Sequence, residues 1–439
     1  MKFLTAYGRL KVYLHNAFWM IGDRLAGIGV SFLVTVLVAR YLGPEEFGLL
    51  SYVVSLVALF TVAGHMGLSG LVVRELVDKP AARGVTLGTS LGLKSLGMLL
   101  GYGALAVYAL VFEGVGSPAF PLVLLAGLAL LLNPVEILEF WFQAFLKARY
   151  AAFARLGSLL VGAGLKLLIL FLGGAVAFLV LANVLQALAF GLLLWLFYIK
   201  SSDLSLRAWR FDRARGRELF RQGWMIYLGS IFAVVYLKID QVMLKLLAGS
   251  EAVGVYAVAA QLSEAWYFVP VAIVTSIFPK LLELRKESEL NFQFRFQQLL
   301  DGLFTLGLLV ALALSMLSAP LVALFFGPSY ADSAPILAIH SWASVFIAMR
   351  AAFSKWILIE GALAFSLLTQ GAGAAMNIVL NYALIPSYGP QGAAYATLFS
   401  YAAASFFSLA AYPKTRPVFF MMCRATLSMF RYAPALLRR

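Results

Sequence analysis

The sequence predicts an all-α membrane protein of about twelve transmembrane helices in two pseudo-symmetric six-helix bundles, and three observations carry that prediction. Of its 439 residues, 62% are hydrophobic and 12% charged, against roughly 45–50% apolar and about 25% charged in soluble domains. Apolar runs of twenty or more residues recur without alternation, which fits helices crossing a hydrocarbon core of about 30 Å and not the period-two strands of a barrel. A short glycine-flanked hinge also occurs twice, with Gly43-Pro-Glu-Glu-Phe-Gly48 matched by Gly249-Ser-Glu-Ala-Val-Gly254.

The first bundle, residues 1–199, contains spans at 16–39, 47–68, 84–112, 119–138, 151–172 and 175–199. Its first span is too long for a signal-peptide core and lacks a small-residue cleavage site, so it counts as structure. That span closes at Arg40, and the Gly43-Pro44 turn with Glu45 and Glu46 returns the chain to the bilayer. The longest polar connection, 200–221, is a basic cytoplasmic linker far smaller than a folding unit. The second bundle, 222–412, contains spans at 222–247, 252–279, 296–317, 334–358, 361–385 and 391–412. After Pro413 the tail to residue 439 is apolar but broken by Arg424 and Arg431, the pattern of an interfacial helix on the cytoplasmic side.

Orientation follows from the basic residues. Alternate connections together with both termini hold 27 of the 34 Lys and Arg, whereas the opposite connections hold only Arg40. The asymmetry places both termini in the cytoplasm. The net charge of +14 is then a topology signal with attraction to anionic membrane lipids, and the arginines of the linker imply no nucleic-acid partner. Cys423 is the sole cysteine, which excludes an intrachain disulfide and a thiolate metal site.

No phosphate-binding loop and no HExxH motif occur, and His15, His65 and His340 lie on separate segments. The sequence therefore assigns no catalytic residue, cofactor or metal, and predicts a transporter without an ATPase site. The informative residues are the charges within spans, because each is expensive there and faces a cavity or a partner. The cations are Arg24, Lys94, Lys166, Lys238, Lys245 and Arg350; the acids are Asp23, Asp240 and Glu264, with Glu136 and Asp301 nearer the cytoplasmic ends. Arg24 shares a helical face with Ser31 and Thr35, and Lys166 shares one with Arg155, Ser158 and Gly162, as though both lined water. Lys94 shares its face with Ser90, Gly97 and Gly101. Lys238 and Asp240 are two residues apart, about 200° around a helix, and cannot pair face to face. Lys245, close to the turn, can snorkel outward. The excess of cations calls for internal salt bridges or for an anionic substrate carrying phosphate.

The stretches "ARYLGPEEFGLLSYVVSLVALF", "GLSGLVVRELV" and "YLKIDQVMLKLLAGSEAVGVYAVAAQLSEAWYFVP" resemble the polysaccharide-biosynthesis oligosaccharide flippases of the multidrug/oligosaccharidyl-lipid/polysaccharide exporter superfamily. The resemblance runs from the first span to about residue 412. It implies two bundles around a central cavity and translocation of undecaprenyl-diphosphate-linked oligosaccharide repeat units, for capsule or lipopolysaccharide, across the bacterial inner membrane. It also implies Arg24, Lys238 and Arg350 as cavity cations, to which the helical faces of Lys94 and Lys166 add two more candidates, Asp23, Asp240 and Glu264 as counter-ions or coupling groups for H+ or Na+, and a polysaccharide polymerase as a possible partner. The alternatives are a multidrug or organic-cation exporter, a lipid II exporter, and a membrane-embedded glycosyl or acyl transferase.

The topology has a direct test. With Cys423 replaced by Ser, single cysteines at positions 44, 114, 250 and 328 react with an impermeant thiol reagent added outside, and those at 79, 210 and 286 do not. Labelling of position 210 from outside contradicts the orientation.

Overall fold

Glycines, more than polar loops, decide where these helices turn. The computed structural model describes residues 2–202 and 204–427; the side chains of residues 2–21, Asp23, Arg24 and Leu206 lie outside the described residues. What the sequence expects of Asp23 and Arg24 therefore lies outside the description as well. Among the described residues every regular element is helical. In order these are α1 (Lys2–Thr61), α2 (Leu68–Asp78), α3 (Arg83–Tyr108), α4 (Ala119–Leu132), α5 (Ile137–Ala144), α6 (Ala148–Phe171) and α7 (Val176–Ser201). They continue as α8 (Arg213–Glu264), α9 (Phe268–Glu287), α10 (Glu289–Met316), α11 (Ser318–Phe325), α12 (Ser333–His340), α13 (Ala343–Glu360), α14 (Leu363–Ser405) and α15 (Arg416–Thr426).

Eight helical stretches among the described residues are long and apolar enough to cross a membrane. That number differs from the twelve separate spans expected: Leu25–Gly64 and Leu363–Ala410 each take in two of them, and the expected spans 222–247 and 252–279, on α8 and α9, are not among the eight. A straight helix of 60 residues would run about 90 Å, three times the hydrocarbon thickness, so α1 must turn. It does so at Gly43, whose φ of 74° belongs to the left-handed region that glycine adopts at little cost. α8 turns likewise at Gly249 (φ 87°) and α14 at Gly389 (φ 55°). Contacts across each turn show that the chain doubles back. In α8 Tyr256 hydrogen-bonds to Asp240, and in α14 Gly373 lies against Ala404. In α1 the segment before Gly43 rises beside α6, with the Tyr41 hydroxyl on the Gly174 carbonyl, and the segment after it descends beside α3, with Tyr52 on Glu113.

The helix starts repeat as well as the hinges. Gly43 and Gly249, the first residues of α3 and α10, and the first residues of α5 and α13 are each 206 residues apart. Two compact units result. The first comprises residues up to Leu42 together with Leu49–Val234; the second comprises Gly43–Gly48 together with residues from Val235 onward. The division falls inside α8, and residues 200–221 belong to the first unit.

In the first unit the basic linker is not a free loop. α3 presents Gly84, Gly88 and Gly92 at four-residue spacing, and the backbone of Ala208 and Arg210 with the ring of Phe211 lies directly on that ledge. The Asp212 amide donates to Thr89 Oγ1, and Trp209 Nε1 donates to Tyr198. Arg215 bridges Glu75 and Glu218, and its hydrogen bond holds the Glu218 carboxyl below the usual carboxylate range. The other side of α3 exposes Leu99, Leu100 and Val107 by more than half each, as a lipid-facing surface requires.

In the second unit, α9, α10 and α13 share an apolar core built on Phe292, Phe296, Phe353 and Trp356. α15, with 11 residues, is too short to cross a bilayer. It buries Val418, Met421, Met422 and Ala425, and the Met421 carbonyl accepts from Gln297. The two hinge copies meet within this unit in equivalent fashion: a Cβ at Gly48 would fall on the Ser250 carbonyl, and one at Gly254 on the Pro44 carbonyl. Both pairs obey the same 206-residue offset, so the sequence repeat is matched by a repeat of contacts. Gly254→Val should therefore cost about 1–3 kcal/mol through overpacking and lower the amount of folded protein in the membrane. Gly103→Ala, where a Cβ meets nothing within 4 Å, leaves the thermal midpoint unchanged. Equal behaviour of the two variants contradicts the close crossing.

Candidate functional site

In the second unit the two glycine-turned hairpins of α8 and α14 meet around one carboxylate. Asp240, on the first limb of α8, is buried with 3% of its surface exposed. Tyr256, on the second limb, donates its hydroxyl to Asp240 Oδ2 at 2.8 Å. Thr397 Oγ1 donates to the same oxygen at 2.6 Å, and Asn381 Nδ2 donates to Oδ1 at 2.6 Å. Asn377 stands one turn before Asn381 and accepts from it at 3.1 Å. All four partners are neutral. A buried carboxylate with hydrogen bonds but no cation retains much of its burial cost.

Two amide atoms of this cage are buried without a partner, Asn377 Nδ2 and Asn381 Oδ1. An orphaned donor and acceptor side by side mark a site that can rearrange. Turning the Asn381 amide alone aims its oxygen inward, beside Asp240, the Thr397 hydroxyl and the Asn377 oxygen that already faces it. Such a set of hard oxygens suits a small cation; a proton on Asp240 would suit the same place.

Lys238, Arg350 and Glu264 lie in the same electrostatic neighbourhood. The charges of Lys238 and Asp240 both act on Glu264, and Arg350 and Asp240 both act on Tyr236. Arg350 donates to Ser405 Oγ at 3.2 Å, and Tyr236 packs edge-on to Tyr401 at 4.2 Å. Among the described residues Lys238 and Arg350 make no salt bridge. Lys245 stands apart and donates to Ser250 Oγ at the hinge, 2.7 Å away, in keeping with a residue near the membrane surface.

The first unit arranges its charges differently. Lys94, 3% exposed, is paired with Glu136 at 2.9 Å, and Asn133 also donates to that carboxylate. Lys166 makes no salt bridge among the described residues. Its helical face is not the water-lined stripe expected, because Ser158 is buried and Gly162 packs on the Gln186 side chain. Thr35 hydrogen-bonds to the Ser31 carbonyl.

The residues missed from sequence are Tyr256, Asn377, Asn381 and Thr397, all neutral. Asn377 and Asn381, four apart within an otherwise apolar span, carried a usable signal, since a helix interior gives Asn no reason to recur on one face unless it has a partner.

A multi-pass helical membrane protein with a caged carboxylate and cations that are unbridged among the described residues is the class that fold and site define. Residues 13–285 match the family model described as polysaccharide biosynthesis protein, and the chain belongs to that family. Among curated relatives, "Probable flippase AglR" of Haloferax volcanii is 29% identical over 222 residues, covering 49% of this chain and 43% of that protein. The alignment thus spans less than half the length of that relative. "Probable low-salt glycan biosynthesis flippase Agl15" of the same organism is 22% identical over 411 residues, covering 90% and 81%. Among solved structures, an inward-facing multidrug resistance MATE family transporter of the MOP superfamily superposes with a TM-score of 0.64 at 14% identity, covering 91% of this chain and 95% of that one. The lipid II flippase MurJ in an inward closed conformation gives the same TM-score and identity, covering 96% and 93%. These likenesses establish the fold.

The Lys94–Glu136 pair gives a stability prediction. Lys94→Ala leaves the one-third-exposed Glu136 carboxylate without its cation and should destabilise, by less than the about 3–5 kcal/mol of a fully buried pair. Adding Glu136→Ala recovers most of that loss, as read by thermal denaturation in detergent. A double variant no more stable than the single one contradicts a mutual pair.

Proposed function

We propose that this protein is a flippase that moves polyprenyl-diphosphate-linked oligosaccharide outward across the cytoplasmic membrane by alternating access, with both termini in the cytoplasm. The observation that carries the reading is that neither Lys238 nor Arg350 makes a salt bridge among the described residues. Membership of the polysaccharide biosynthesis protein family and the glycan-flippase names of two relatives support the same reading.

The diphosphate lies on Lys238 and Arg350, the glycan occupies water, and the prenyl chain remains in lipid. A phosphate suits these side chains because a cation deep in the bilayer gains from a directly bonded anion. Asp240 is the coupling group. When it holds only neutral donors, the α8 and α14 hairpins are drawn together by hydrogen bonds to one carboxylate. When it holds a proton or sodium ion, those bonds are replaced and the charge near Lys238 and Arg350 rises by one. The occupancy of Asp240 thereby alters both the packing of the hairpins and the affinity for an anion. Outward movement of an anionic headgroup is further favoured by an interior-negative potential, by about 2.3 kcal/mol per charge per 100 mV. No nucleotide is consumed in this scheme.

Loss of one charge-assisted phosphate contact should weaken binding about tenfold to a hundredfold. Purified Lys238→Ala and Arg350→Ala proteins, folded in lipid nanodiscs, are expected to bind bare polyprenyl diphosphate at least tenfold more weakly than wild type, whereas Lys245→Ala binds normally. Wild-type affinity in both variants removes the phosphate assignment.

A further inference from the structure

Two helices of the first unit break at membrane depth, and the breaks adjoin the same ion pair. The limb of α1 that descends from Gly43 ends at Thr61, passes through a single 3-10 turn at Val62–Gly64, and crosses His65, Met66 and Gly67 before α2 begins. Met66 and Gly67 both have positive φ, so the helix is interrupted and not merely bent. α4 gives way to a 3-10 segment at Asn133–Glu136 before α5. Lys94 stands eleven residues beyond the start of α3, about 16 Å at 1.5 Å per residue and hence near mid-bilayer. Gly97 rests on the Ala63 carbonyl and Gly64 on Met98, which puts the first break at the same level.

Irregular backbone at that depth is tolerated only where protein covers it or water reaches it. His65 is exposed, and Glu136 is one-third exposed although its partner Lys94 is buried. These groups therefore lie at a surface of the unit and are not sealed within it. The charges of Lys94 and Glu136 both act on His65. They also act on Glu139, which forms a 2.6 Å salt bridge with Arg155 of α6. Arg155 is itself nearly half exposed. His65, Lys94, Glu136, Glu139 and Arg155 thus form one continuous set on five elements.

The set differs in kind from the one around Lys238 and Arg350. Each cation already holds a carboxylate, so no uncompensated positive charge is left for a phosphate. What remains on offer is an alternation of fixed donors and acceptors: a guanidinium, two carboxylates, an imidazole and the Asn133 amide, whose Oδ1 is buried without a partner. A hydroxyl both donates and accepts, and a sugar carries several at fixed angles, so such an array complements a neutral glycan better than an anion. Broken helices near the midplane are also where transporters place substrate groups.

We infer that His65, Glu136, Glu139 and Arg155 form a binding site for the uncharged, hydroxyl-rich sugar portion of the cargo, separate from the cations that hold its diphosphate. The inference rests on the proposed flippase function, and Lys94 serves in it as a positioning residue that fixes the Glu136 carboxylate.

The test compares two probes on the full-length protein in nanodiscs: polyprenyl-diphosphate-linked oligosaccharide purified from cells that make this protein, and bare polyprenyl diphosphate. Wild type should bind the glycosylated lipid about tenfold more tightly, as charged groups bonding to hydroxyls allow. Glu136→Gln, Glu139→Gln and the volume-matched Lys94→Met/Glu136→Met double variant should bring that ratio to within about twofold of unity while leaving affinity for the bare lipid unchanged. The double variant retains folding where a lone Lys94 charge would not. A ratio that stays near the wild-type value overturns the inference, as does a loss that is equal for both lipids. Failure of wild type to bind either lipid removes the phosphate reading and this one together. Normal binding of bare lipid in both Lys238→Ala and Arg350→Ala removes the phosphate reading alone, and the ratio still decides the sugar site.

Discussion

A charge inside a hydrocarbon layer must find a partner in the protein or wait for one from solution, and that requirement organises this molecule. Lys94 has Glu136, Arg155 has Glu139, and Asp240 has a ring of neutral donors in place of a cation. Within the spans the backbone obeys the same constraint by staying helical. Between adjoining limbs the chain reverses at a single non-helical glycine. Gly43, Gly249 and Gly389 permit the reversal at positive φ, and the limbs they join bring distant residues together.

The consequence for function is that chemistry appears where helices turn or break. The caged Asp240 exists only because α8 and α14 each fold back on themselves, which brings residues 240, 256, 381 and 397 into contact. The set around Glu136 exists only because α4 stops four residues before it and the descending limb of α1 stops near Lys94. Among the described residues Lys238 and Arg350 of the second unit are unbridged, whereas Lys94 and Arg155 of the first each hold a carboxylate.

Much of this was legible in the sequence, and the physics explains which parts. Apolar runs fixed the class, since little else can bury that much hydrocarbon. The Gly43 and Gly249 motifs announced the repeat, and in the folded chain they meet through the same atoms at the same offset. Asp240, Lys238, Glu264 and Arg350 stood out as intramembrane charges and share one neighbourhood. Less accessible was the state of each charge. Whether a lysine is bridged depends on a helix forty residues away, as with Lys94 and Glu136, and periodicity carries no such information. The neutral members of the Asp240 cage were overlooked because cost singles out charges, and Asn or Thr in a span is cheap enough to pass unnoticed. The glycine ledge of α3 was hidden for another reason: a small residue shows only that something approaches, and here the neighbour is the chain's own linker.

The central claim is that occupancy of Asp240 drives movement of the lipid-linked glycan. It is tested most directly by reconstituting the protein in vesicles that contain lipid-linked oligosaccharide, imposing a sodium or proton gradient without nucleotide, and following exposure of the glycan at the opposite leaflet. The account predicts that one of the two gradients accelerates flipping in wild type and has no effect on Asp240→Asn. Flipping that ignores both gradients, or that responds equally in the Asp240→Asn protein, would contradict it.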